Sequence, residues 1–143
     1  EWAYKLEPGF PIIANALPIV YLQVDDTDMA MDAARRTLPY QAHPSSAALD
    51  FGDALISLKQ DSLAAEWGLE LMQADPMVPE YVQLRIRALL LDGRVPESRE
   101  AIEDWVQRTG DTSARQELER MIEQVERARV ARDSATAPEG EAP

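Results

Sequence analysis

A shift of 34 residues lays this chain onto itself, and that period is the strongest constraint on its fold. Tyr21, Leu55 and Leu89 fall in one column, and Ala30, Ala64 and Ser98 in another. Leu22, Ile56 and Leu90 make a third, Val20, Ala54 and Ala88 a fourth, and Leu38, Met72 and Val106 a fifth. Pro8 and Pro76 lie two periods apart, and the proline expected between them is displaced to Pro44. A unit of this length is too small to bury an apolar face alone, so neighbours must stack to bury a shared core.

Each unit reads as two short helices. In the middle unit Ala48, Phe51, Leu55 and Leu58 have helical spacing, predicting a helix over 45–58. Gln60–Asp61–Ser62 interrupts, with Asp61 or Ser62 as an N-cap. Leu63, Trp67 and Leu71 then predict a helix over 62–74, closed by Pro76. In the third unit a helix over 79–91 ends at Asp92–Gly93. Another over 96–108 begins with Pro96 and closes at Thr109–Gly110. The first unit predicts helices over 11–24 and 28–41, with Pro18 kinking the former. A single amphipathic helix over 112–132, capped by Asp111 or Thr112, has Glu and Arg opposite its apolar side. It reads as a cap for the last apolar face, and 133–143, without bulky residues, as a disordered tail.

These columns resemble the tetratricopeptide repeat (TPR) family. The middle unit carries the likeness best, through Ala48, Phe51–Gly52, Leu55, Ala64, Gly68 and Pro76. The first unit offers Ala14, Leu17–Pro18, Tyr21, Ala30 and Ala34. The third offers Val82, Arg85–Ile86, Leu89, Ser98 and Ile102. The resemblance implies an all-α fold, an α-solenoid of antiparallel helix pairs with about three repeats and a capping helix. The divisions are 9–44, 45–78 and 79–110 for the repeats, 111–132 for the cap and 133–143 for the tail. Residues 1–8 align with Leu69–Pro76, so they read as the end of a second helix of a preceding repeat. The sequence therefore reads as a fragment of a longer array, with Trp2, Tyr4 and Leu6 available for self-association. Ala30, Ala64 and Ser98 are expected where paired helices cross closely, with Gly52 in the same part on the first helix.

Composition narrows the function. Twenty-six acids against 14 Lys and Arg give a net charge of −12, unsuited to nucleic acid or to direct contact with an anionic membrane. No cysteine is present and His43 is the one histidine, so thiolate and His-rich metal sites are excluded. Asp25, Asp26, Asp28 and Asp32 lack the central Gly of a calcium loop, and read as a turn plus acids favouring a helix N-terminus. No pair of carboxylates is set apart for glycoside hydrolysis, and the six glycines form no nucleotide loop. His43, next to Pro44, reads as a surface or local hydrogen-bonding residue, and Trp67 and Trp105 as packing residues. The expectation is a non-catalytic chain without cofactor or metal.

What remains is a surface. In tetratricopeptide arrays first helices line a concave groove where partners bind. The resemblance implies a lining of Ile12, Asn15, Ile19, Leu22 and Gln23, then Leu49, Asp53, Ile56 and Ser57, then Gln83, Arg87, Leu90 and Leu91. The lysine-rich clamp of one subfamily is missing, since only Lys5 and Lys59 occur. The groove suits another protein or peptide, as an apolar helical or extended segment, with acidic charge steering a basic partner. The Arg- and Ala-rich composition fits a GC-rich bacterial genome and a soluble chain of cytoplasm or periplasm. The family implies assembly scaffolds of bacterial envelope, secretion or polysaccharide-export machines. The alternatives are a structural spacer, or a regulatory module of an upstream enzyme or DNA-binding domain.

Overall fold

The computed structural model describes residues 11–136, with side chains from 15 to 134. Residues 1–8 with Trp2, Tyr4 and Leu6, and most of the expected tail, fall outside the described residues, as do the side chains of Ile12 and Ala14. The described chain is all-helical. Its α-helices are α1 (Pro11–Gln23), α2 (Thr27–Thr37), α3 (Ser46–Ser57), α4 (Asp61–Ala74), α5 (Pro79–Leu91), α6 (Val95–Thr109) and α7 (Ser113–Thr136), with a 3-10 turn at Leu38–Tyr40.

The turn inside each helix pair is built the same way three times. Asp25, Lys59 and Gly93, one period apart, have φ of 60°, 59° and 77°. The next residue donates its N–H five positions back, Asp26 to Tyr21 O at 2.9 Å, Gln60 to Leu55 O at 2.9 Å and Arg94 to Leu89 O at 2.8 Å. This is a left-handed C-terminal cap, which satisfies carbonyls the helix leaves open. Two of the three positions are not glycine, so the bends are imposed by packing and these hydrogen bonds. The following helices start alike, with Ala30, Ala64 and Ser98 donating to the carbonyls of Asp26, Gln60 and Arg94.

Burial repeats with the same period. Ala30, Ala64 and Ser98 are all 0% exposed. Ser98 stays satisfied there because its Oγ donates to Val95 O at 2.6 Å. Ala33, Trp67 and Ala101 are buried in one column, and Thr37, Leu71 and Trp105 in another. Trp67 packs edge-on against Phe51 at 5.4 Å and donates Nε1–H to Ala48 O at 2.9 Å. Consecutive helices pack within each pair and along α4, α5, α6 and α7. In addition α1 packs on α3, α3 on α5 and α5 on α7. The last helix thus takes the next first-helix place.

The structure corrects several readings. Gly52 does not serve the crossing inside its own pair. A Cβ there would fall on Leu84 of α5. Gly68 instead sits against backbone, where a Cβ would lie 2.8 Å from Arg85 Cβ and 2.9 Å from its Cα. The second helix stops at Thr37 instead of 41, because Pro39 has no N–H to donate. Asp61 is the first helical residue of α4, and Gln60, without a side-chain cap, holds the cap position. The last helix runs to Thr136, through part of the expected tail, since the first proline after it is Pro138. Pro18 is buried within α1, which extends on both sides of it.

Candidate functional site

The first helices carry the expected lining, and burial divides it. Leu22 and Leu90, at 3% and 1% exposure, belong to the core and cannot meet a partner. Their column faces inward because α1 and α5 turn it toward neighbouring helices. Leu49, Ile56 and Ile19 are half-buried against that core. Gln23, Asp53, Ser57, Gln83 and Arg87 are exposed, and Leu91 is 43% exposed. Asn15 is half-buried and accepts a 2.9 Å hydrogen bond from Gln41 Nε2, which ties it to the turn between pairs. Asp53 and Arg87, one period apart, form an ion pair bridging α3 and α5. Ser57 Oγ donates to Asp53 O at 3.0 Å. The groove reading therefore keeps one ion pair across two helices, with Ser57 bonded to the Asp53 carbonyl on α3 and Gln83 and Leu91 flanking Arg87 on α5.

Sequence reasoning missed a cleft of 320 Å³ where α7 stands against α5 and α6. Its floor is apolar, with Val82, Ile86, Ile102, Trp105, Leu118 and Met121. Gln83, Asp111, Glu117 and Arg120 lie at its edge. Reading α7 simply as a cover hid this cleft, because a helix can cap the core and still stand off its edge. The one signal was register, since Met121 lies one period after Arg87. A second cleft of 290 Å³ opens at the other end of the α5–α7 seam, with Leu91, Val125 and Ala128 beside Arg129 and Arg132. Gln83 belongs to the first cleft and Leu91 to the second, so the lining predicted on α5 continues into both.

Charge on the second-helix side is largely committed to pairing. Arg35 Nε donates to Glu70 at 2.8 Å and Nη2 to Glu66 at 2.9 Å, linking α2 to α4. Arg115 forks onto Glu103 at 2.8 and 2.9 Å, and its hydrogen bond holds the Glu103 carboxyl below its usual range. Arg94 does the same to Glu97. Burial is the main reason the Arg85 guanidinium is pushed down from its usual value. Within the acidic group, Asp25 makes the positive-φ turn and Asp26 Oδ1 caps α2 by accepting from Met29 N at 3.2 Å. Asp28 sits in the first turn of α2, and Asp32 pairs with Arg36 at 3.1 Å. Among the described residues no group of three His, Asp or Glu is arranged to hold a metal ion.

His43 is a hydrogen-bonding residue that reaches across units. Its Nδ1 lies 2.7 Å from Tyr81 Oη, which also accepts from Ser45 N at 2.7 Å. Tyr81 Oη thus bridges the Ser45 amide and the His43 imidazole. Burial raises the Tyr81 hydroxyl above its ordinary pKa, so it stays protonated in this role. Ser45 Oγ continues the chain to Gln41, and Gln41 to Asn15. This network fastens the turn between the first two pairs to α5 and is structural.

Comparison with protein-family models, with curated proteins and with solved structures finds no match. No described helix is long and apolar enough to cross a membrane.

Proposed function

We propose that this chain is a tetratricopeptide-like helical array that binds a protein or peptide segment and performs no chemistry. The recurring turn at Asp25, Lys59 and Gly93 supports the repeat reading. The observation that carries the binding reading is the cleft between α5 and α7, which has an apolar floor and a polar edge. Its volume accommodates one or two bulky side chains of a partner segment, the scale on which apolar anchors bind. Gln83 joins the cleft to the exposed Asp53–Arg87–Ser57 surface, so one segment can lie across the first helices and anchor in the cleft. The acidic excess favours a segment with basic residues beside its apolar anchor. The family resemblance carries the setting, an assembly scaffold of a bacterial envelope, secretion or export machine.

The test is panning of a random peptide library against the full chain and against Gln83→Arg. Gln83 is exposed, so the variant keeps the fold and alters only the edge of the cleft. Peptides with a bulky apolar anchor that bind the wild type and lose at least tenfold affinity for the variant support the reading. No enrichment over a blank surface, or equal binding to both proteins, overturns it.

A further inference from the structure

The face of α1 turned away from α3 is apolar, and among the described residues it is left partly exposed. Pro18 and Leu22 point into the core, while Ala16 and Val20 lie roughly 160–200° around the helix from Pro18 at 100° per residue. Val20 is 48% exposed, and Val24, in the turn that follows, is 67% exposed. The equivalent positions on α5 are Leu84 and Ala88, with exposures of 3% and 0%. Part of that cover is a first helix, since α3 packs on α5 and Gly52 abuts Leu84. The second-helix place does not supply the same cover. It abuts Arg85 through Gly68, and Arg85 is equivalent to Leu17. An uncovered Ala16–Val20 strip is thus shaped for another first helix.

Charge selects the occupant. The segment PIIANALPIVYLQ of α1 holds no Asp, Glu, Lys or Arg, whereas every other described α-helix holds at least one. In a chain of net charge −12 this is the helical face on which a second copy can approach without opposing like charges. The other end of the molecule is unsuited to head-to-tail stacking, because Arg115, Glu119, Arg120 and Glu123 crowd an exposed face of α7. An open chain of copies would need that charged face to sit on the apolar strip, with the charges desolvated. A closed pair needs only the strip against itself.

We propose that two copies of this chain associate through α1 packed on α1 about a two-fold axis, with Ala16, Val20 and Val24 at the contact. The pairing is antiparallel. Asp25, Asp26 and Asp28 at the C-terminal end of α1 then lie beside the partner helix's N-terminus, where the helix dipole and free N–H groups favour carboxylates. A parallel pair would bring the two acidic turns together.

Light scattering and sedimentation of the full chain over a wide concentration range test this. The wild type is expected to pass from 16.0 kDa to twice that mass as concentration rises. Val20→Asp, and separately Val24→Asp, should each weaken the pair at least tenfold while circular dichroism stays helical. Glu119→Lys, on α7, should leave the association unchanged. A wild type that is monomeric throughout overturns the proposal. A dimer retained by both folded aspartate variants, or one weakened by Glu119→Lys, overturns it as well.

Discussion

Gly68 and Gly52 look alike in sequence, since each is a helical glycine in the middle unit, yet replacement by alanine should be costly at the first and nearly neutral at the second. Alanine in a helix interior gains about 0.5–1 kcal/mol over glycine. At Gly68 the new Cβ would stand 2.8 Å from Arg85 Cβ, 2.9 Å from its Cα and 3.1 Å from its N. Ordinary carbon contacts need about 3.5–4.0 Å. The obstacle is backbone, so α4 and α5 must move apart by roughly 0.5–1 Å, loosening the contacts on either side. Overpacking of this kind costs about 1–3 kcal/mol. After the propensity gain the net loss is about 1–2 kcal/mol, or roughly 3–8 °C in Tm for a chain of this size. At Gly52 the Cβ falls on the terminal methyls of Leu84, whose Cγ is 3.2 Å away. Leu84 can rotate at about 0.5–1.5 kcal/mol, which nearly cancels the propensity gain. Gly52→Ala should therefore lie within about 0.5 kcal/mol of the wild type. Urea and thermal unfolding of both variants measure the difference. If Gly68→Ala is as stable as Gly52→Ala, the close approach of α4 and α5 does not limit the fold, and the reasoning fails.

Other perturbations test different parts. Trp67→Phe keeps the edge-on contact with Phe51 but removes the donor to Ala48 O, and should cost about 1 kcal/mol in chemical denaturation. Ile56→Asp should lower stability outright, because this half-buried side chain rests on the core, so lost binding in that variant would not report on the groove. Asp53→Ala should change stability by less than about 1 kcal/mol, since its pair with Arg87 is exposed, and a double-mutant cycle with Arg87→Ala measures the coupling. Burial first, then Asp92, raises the Asp61 carboxyl, so the fold penalises its charge at neutral pH and the penalty disappears as pH falls through the raised pKa. Asp61→Asn should consequently raise Tm at pH 7 and leave it unchanged near pH 3. Glu103 is held down by Arg115, so its contribution is present above the ordinary carboxylate range and is lost as pH falls through its depressed pKa. Arg115→Gln should flatten that part of the acid limb of Tm against pH.

The periodic part of this fold was legible because local rules and tertiary packing agree there. Ala30, Ala64 and Ser98 are small in the sequence and fully buried in the structure, and Trp67 and Trp105 pack as their spacing predicts. Helix starts and stops came within a few residues wherever a proline, glycine or cap stood at the boundary. The exception is the stop at Thr37, which Pro39 enforces ahead of the expected end at 41. The positive-φ turns at Asp25 and Lys59 were not legible, since neither residue type demands that conformation. Among the candidate site residues, Leu22 and Leu90 could not be separated from Ile19 and Ile56 by type. A helix with several apolar sides does not reveal which one meets the core.

From residue order alone come the succession of helices, their period of 34 and the acidic balance. That much follows from side-chain spacing and turn chemistry, which act over a few residues. Helix packing in three dimensions set Gly68 against a neighbouring backbone and Gly52 against a side chain, and brought Asp53 to Arg87. It alone set α7 far enough from α5 and α6 to leave a cleft, and left Val20 uncovered. Those outcomes depend on the distances and rotations between whole helices, which many side chains fix together.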